Sequence, residues 1–219
     1  MARSADRLVV SSFIHDLAKE PSSDNVFNPW STQDQTYDLD GAPVIRCGLL
    51  ARFLADRVPT FLLVGLAPGY AGAKFSGLPF VDERYATAWY GVRTSRRNQP
   101  WSEHTASVVI AALKEFDILG ETMMWNTFPF HPNTPGYPLT NRTPDNEELA
   151  RGLTWLERFT SLFPPGIVIP VGRAAEKGVS EITLPKGSVV APYVRHPSHN
   201  GETAFRNGLW SIVQQAKKN

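Results

Sequence analysis

Four short apolar runs, each about one strand long, with stretches of helical spacing among them, constrain this chain more than any other feature. They are Thr60 to Val64, Met123 to Trp125, Ile167 to Val171 and Val189 to Val194. A continuous apolar run bounded by Pro or Gly reads as a strand buried on both faces, and such strands belong to parallel sheets covered by helices. The segments between them supply the helices. Ser102 is placed to cap a helix carrying Val109, Ile110 and Leu113, and Thr143 with Pro144 opens another that sets Leu149, Leu153, Leu156 and Phe159 on one face. Gly201 to Lys217 closes the chain with Phe205, Leu209, Ile212, Val213 and Ala216 at helical spacing. Before the first strand, Val10, Phe13, Ile14 and Leu17 mark one helix and Leu49, Leu50, Phe53 and Leu54 a second, joined by a polar connection. Trp125, Trp155 and Trp210 read as core from their apolar surroundings. The pattern predicts an α/β fold, a three-layer α/β/α sandwich around a central, mainly parallel four-stranded sheet.

The 219 residues fit one large domain, so a single domain over 1–219 is expected, with 1–59 as an N-terminal helical extension of it. No run approaches the length of a membrane span, and His15, Asp16 and Lys19 break the apolar stretch near the amino terminus; a cytoplasmic protein without a membrane partner is expected, as a monomer. Cys47 stands alone, which excludes an internal disulfide framework and a four-thiolate metal or iron–sulfur site; neither metal nor cofactor is expected. Lys plus Arg is 22 against 21 for Asp plus Glu, so any affinity for nucleic acid must come from basic residues gathered on one face.

Ligands of open α/β sheets bind beyond the carboxyl ends of the strands. Three of the runs here pass into segments rich in Gly, Pro, Asn and His: Gly65-Leu66-Ala67-Pro68-Gly69, Asn126-Thr127-Phe128-Pro129 and Arg195-His196-Pro197-Ser198-His199-Asn200. Gathered at one sheet edge they would form a single pocket. The glycines at 65, 69 and 72 make neither a dinucleotide fingerprint nor a Walker loop, and by chemistry alone the first segment is an anion site of backbone amides or an ordinary tight turn.

The stretch GLAPGYAGAKFSGLPFVDE resembles the first motif of the uracil-DNA glycosylase superfamily, closest to the branches with GEAPG and GLAPA signatures. Asn126 together with Asn141-Arg142-Thr143-Pro144 and Glu147-Glu148 is similar to a second motif, and His196-Pro197-Ser198 to a third. The three occur in the family's order and cover residues 60 to about 209. The chain departs from the iron–sulfur branches in lacking their cysteines. It also carries Leu66 where several branches place a polar or acidic residue.

The resemblance implies a DNA repair glycosylase, with uracil-containing DNA as partner, that flips the base out and hydrolyses its N-glycosidic bond. Such a reaction leaves negative charge on the departing base, and His196 with the backbone amides of Gly65 to Gly69 would meet it. The uracil pocket is expected from Gly65, Leu66, Ala67, Gly69, Tyr70, Phe80, Asn126 and His196. In it the Asn126 amide pairs with N3–H and O4 of uracil, and Phe80 stacks on the ring unless it is an ordinary core residue. With Leu66 in the motif, the attacking water falls to Glu83, at the offset of an acid in the GLAPA-like branch, or to Asp82; Asn126 and backbone carbonyls compete for that task. Arg195, Pro197, Ser198, His199 and Asn200 are candidate DNA contacts, as is the basic loop with Arg93, Arg96 and Arg97. The alternative function is a protein of the same fold that binds the base, or traps it covalently through a histidine, without turnover.

Overall fold

A computed structural model describes residues 7–218. The ends of the expected domain, 1–6 and 219, lie outside the described residues. The chain opens with α1 (Arg7–Ala18), a short β1 (Val26–Phe27) and α2 (Ala42–Ala55), then enters the sheet at β2 (Phe61–Gly65). After β2 come α3 (Ala73–Ser76), α4 (Glu83–Tyr90) and α5 (His104–Glu115), followed by β3 (Thr122–Asn126) and β4 (His131–Pro132). The remainder alternates: α6 (Asn146–Leu162), β5 (Ile167–Pro170), α7 (Arg173–Ser180), β6 (Val189–Val190) and α8 (Glu202–Ala216).

The central sheet has the order β3-β2-β5-β6 and all three of its pairings are parallel, with helices around it in the three-layer arrangement. Every residue of β2 and β3 is buried, as the apolar runs Phe61 to Val64 and Met123 to Trp125 demand, and the polar Thr122 and Asn126 at the two ends of β3 are buried with them. Phe13 of α1 packs on Trp125 of β3 and on Trp155, Phe159 and Phe163 at the α6 side, so the amino-terminal helix belongs to the core of the same unit. β1 pairs antiparallel with β4 in a small second sheet that the apolar pattern did not foretell. None of the described helices is long and apolar enough to cross a membrane.

Several local expectations shift. The last strand is cut to Val189–Val190, both exposed, because the sheet ends there and Pro192 has no N–H for a ladder; a single parallel bridge from Val171 to Val194 resumes the alignment. Ser102 does not cap α5; the cap position is Glu103, whose side chain makes no capping bond. The cap of α6 is Asp145 rather than Thr143, and with Glu148 it forms a reciprocal capping box. Trp210 is 46% exposed and lies against Phe116 on the surface, whereas Trp125 and Trp155 are core.

Candidate active site

The parallel register decides where the motifs meet. Gly65, the last residue of β2, stands opposite Asn126, the last of β3. On the other side β2 pairs with β5, and the Gly172 amide just beyond β5 donates to the Val194 carbonyl, two residues ahead of His196. Three loops distant in sequence thus open on one cavity of about 500 Å³ beyond the carboxyl ends of the strands. Its walls include Gly65 to Gly69, Phe80, Asn126, the Asn141 to Thr143 segment, Gly172, Arg173, His196, Ser198 and His199.

At the sheet end of the cavity the Asn126 side chain is buried and its amide has no hydrogen-bond partner among the described residues. Its Oδ1 and the Phe80 ring crowd Gly65 so closely that a Cβ there would fall 2.6 Å from the one and 2.7 Å from the other. Phe80 itself has φ of 58°, a left-handed backbone unusual for a bulky side chain. The strained residue presents its ring beside the Asn126 amide.

His196 lines the same cavity. Its Nδ1 accepts the Ser198 amide at 3.2 Å and lies 2.8 Å from the Ser198 hydroxyl, which leaves the proton of the neutral ring on Nε2. Burial, with the nearby His199 and Arg195, lowers its pKa, so the ring is neutral at physiological pH. The loop is kept tight by Gly201, where any Cβ would collide with the His196 carbonyl, and by left-handed turns at His199 and Asn200. The Gly65–Gly69 turn adds the amides of Ala67 and Gly69, which donate to no group among the described residues.

Around the pocket the loops are tied to one another. Asn141 accepts the Tyr70 amide at 2.9 Å, and Arg142 forms a two-pronged pair with Glu148. His131, which sequence reasoning passed over, donates from Nδ1 to the Pro68 carbonyl at 2.9 Å; burial pushes its pKa down to about 4. The segment before residue 59 contributes too. Arg46 of α2 donates to the Lys74 carbonyl just past the turn, and Asp38 and Asp34 take the buried charges of Arg46 and Lys74.

Other expected site residues are placed elsewhere. Glu83 is 1% exposed and turned away from the cavity; its carboxylate accepts the amides of Thr94, Ser95 and Trp101, the Ser95 hydroxyl and Arg93 Nε. Burial opposes its charge, but these donors prevail and hold its pKa below the ordinary value. Asp82 caps α4 through the Tyr85 amide and also accepts the Glu103 amide at 2.9 Å. Neither acid lines the pocket, and the geometry assigns both to the fold in place of the expected grip on water. Tyr70 turns its ring edge-on to Trp101, and Arg195, Pro197 and Asn200 do not line the cavity, Arg195 and Asn200 being exposed and Pro197 buried. In the basic loop Arg93 is bound to Glu83, Arg96 to Asp40, and Arg97 lies over the Trp101 ring at 4.0 Å. The acid that does line the pocket is Glu103, which elimination along the sequence stopped short of.

Fold, sheet-edge pocket and three motif loops agree with the comparison to known families: residues 53–214 match the model of the uracil DNA glycosylase superfamily, and the chain belongs to that superfamily. Among solved structures it is similar to wild-type SMUG2 of Pedobacter heparinus, with a TM-score of 0.66 at 12% identity over 96% of this chain and 99% of that one. At that identity the likeness speaks for the fold. No curated protein matches the sequence.

Proposed function

We propose that this protein removes uracil from DNA by hydrolysing the bond between the base and its deoxyribose. The observation that carries the reading is one cavity in which an unpartnered Asn126 amide, the face of Phe80 and the free Nε2–H of a neutral His196 stand together. A flipped uracil stacks on Phe80, its N3–H donating to Asn126 Oδ1 while its O4 accepts from Nδ2; cytosine, with a donor in place of O4, mismatches that amide. As the bond to N1 lengthens, charge gathers on O2, where Nε2–H of His196 and the amides of Ala67 and Gly69 are the fixed donors. Arg173 and His199, both exposed on the cavity wall, are the polar contacts for the strand that delivers the base.

The test is incubation with a uracil-containing oligonucleotide followed by alkali. Strand breaks at uracil support the reading. A retarded complex without breaks means a binding protein of this fold, and an adduct that survives SDS means a covalent trap.

A further inference from the structure

Glu103 is the one carboxylate among the described residues that lines this cavity, and nothing holds it. Its backbone amide donates to Asp82 and its carbonyl accepts from Ser107, yet its side chain takes part in no hydrogen bond. A carboxylate drawn out of water is ordinarily saturated with donors, as the buried Glu83 is, so the half-buried Glu103 left without them needs a reason to be there. The turn makes room for it: a Cβ on either Gly69 or Gly72 would come closer than 3.0 Å to a Glu103 carboxylate oxygen. The two glycines at the far end of the GLAPGYAG segment therefore serve to admit this side chain, as Gly65 at the near end admits Asn126 and Phe80.

Resting on the glycosylase reading above, we propose that Glu103 is the catalytic base, holding the water that attacks the sugar. In the step, the C1′–N1 bond breaks with its electron pair leaving on uracil. The water oxygen forms the new bond to C1′, and the water proton passes to the Glu103 carboxylate. The product is a hydroxyl at C1′, and the uracil anion is neutralised from solvent on release. This role requires Glu103 to be ionised before attack. Burial, reinforced by the charge of Asp82, pushes its pKa up to about 7, so a base of useful strength is present near neutral pH. The other charged or titratable groups on the cavity wall are Arg142, occupied by Glu148, and Arg173, His196 and His199.

The test is single-turnover excision from a single-stranded uracil oligonucleotide between pH 5 and pH 9, by the native chain, Glu103→Gln and Asp82→Asn. The native rate is expected to rise with pH through about 7. Glu103→Gln should cut roughly 10²-fold more slowly at pH 8, bind the oligonucleotide as before, and lose the pH dependence. Asp82→Asn keeps an acceptor for the Glu103 amide but removes the charge, so its midpoint should move to lower pH. Formate should restore part of the rate to Glu103→Ala. A Glu103→Gln protein that cuts at the native rate, or retains the native pH profile, overturns this assignment and leaves the glycosylase reading standing. A native chain that cuts at no pH overturns both.

Discussion

The segment from Asp82 to Glu103 holds two glutamates in opposite conditions, Glu83 buried and Glu103 half-buried at the cavity. Glu83 is wrapped in donors, with three backbone amides, a hydroxyl and a guanidinium converging on two oxygens, and its pKa is lowered. Glu103, at the other end of the same loop, has no donor and its pKa is raised. Burial alone therefore says little about the purpose of an acid. A carboxylate whose lone pairs are spent on the chain is a structural knot, and one left bare beside a cavity is free to act on what enters it. The contrast extends to the pocket as a whole, since the Asn126 amide and His196 Nε2 are bare in the same way, while the Asp82 carboxylate and the Asn141 Oδ1 are taken up by backbone amides.

The largest effect should come from cutting the knot. Glu83→Ala leaves the amides of Thr94, Ser95 and Trp101 buried without an acceptor and Arg93 without its counter-charge. The expected loss is about 3–5 kcal/mol of unfolding free energy, read from urea denaturation. Glu83→Gln should lose less stability, and whatever remains folded should excise uracil at close to the native single-turnover rate. A Glu83→Gln protein of native stability that excises slowly would erase the distinction between the two glutamates.

On the bare side, His196→Ala is expected to lower turnover by about 10²–10³-fold, the value of one preorganised donor to a developing oxyanion, with oligonucleotide affinity little changed because the charge exists only in the transition state. Equal losses in binding and turnover would place His196 among the ground-state contacts. Asn126→Asp is next. It replaces the donor to O4 with a second acceptor, so uracil excision should fall by about 10²-fold while cytosine gains a partner for its amino group. Rates on paired uracil and cytosine oligonucleotides measure the switch, and an unchanged uracil rate would remove Asn126 from the base pocket.

What was legible in the sequence follows this same division. Strands with two buried faces, such as Phe61–Gly65 and Thr122–Asn126, announce themselves through an apolar centre, Phe61 to Val64 in the one and Met123 to Trp125 in the other, and the loops after them were readable from Gly65, Asn126 and His196. Helix starts were misplaced by one or two residues because a cap is decided by which side chain meets a free amide, as Asp145 does and Thr143 does not. The exposed edge at Val189–Val190 looked like core because apolar residues do not say which strand ends the sheet. The acids failed for a clearer reason. Counting forward from the motif reaches Asp82 and Glu83 first, and only tertiary packing shows that the next loop folds back to lay Glu103 against Gly69 and Gly72. The two glycines were a sequence signal that something approaches closely; they could not name it.

The smallest effect is the most discriminating, because it opposes the loss of activity. In the unfolded chain Glu103 has its ordinary pKa of 4.5, and in the folded protein about 7. Between those values the folded state binds more protons than the unfolded one, so this group makes stability fall as pH rises through that window. Above about pH 7 the folded protein carries a half-buried charge that no hydrogen-bond donor among the described residues meets. Glu103→Gln removes the charge and should stabilise the protein at pH 8 by about 1–2 kcal/mol, a discounted figure because the side chain reaches the solvent-filled cavity. At pH 4, where the carboxyl is protonated in both states, native and variant should unfold together. Glu83→Gln should show the reverse, a loss at pH 8 that shrinks on acidification as the native carboxyl is protonated. Thermal unfolding of both variants at the two pH values provides the comparison. If Glu103→Gln is no more stable than the native chain at pH 8, then that carboxylate has found donors, and its claim to hold the attacking water weakens with it.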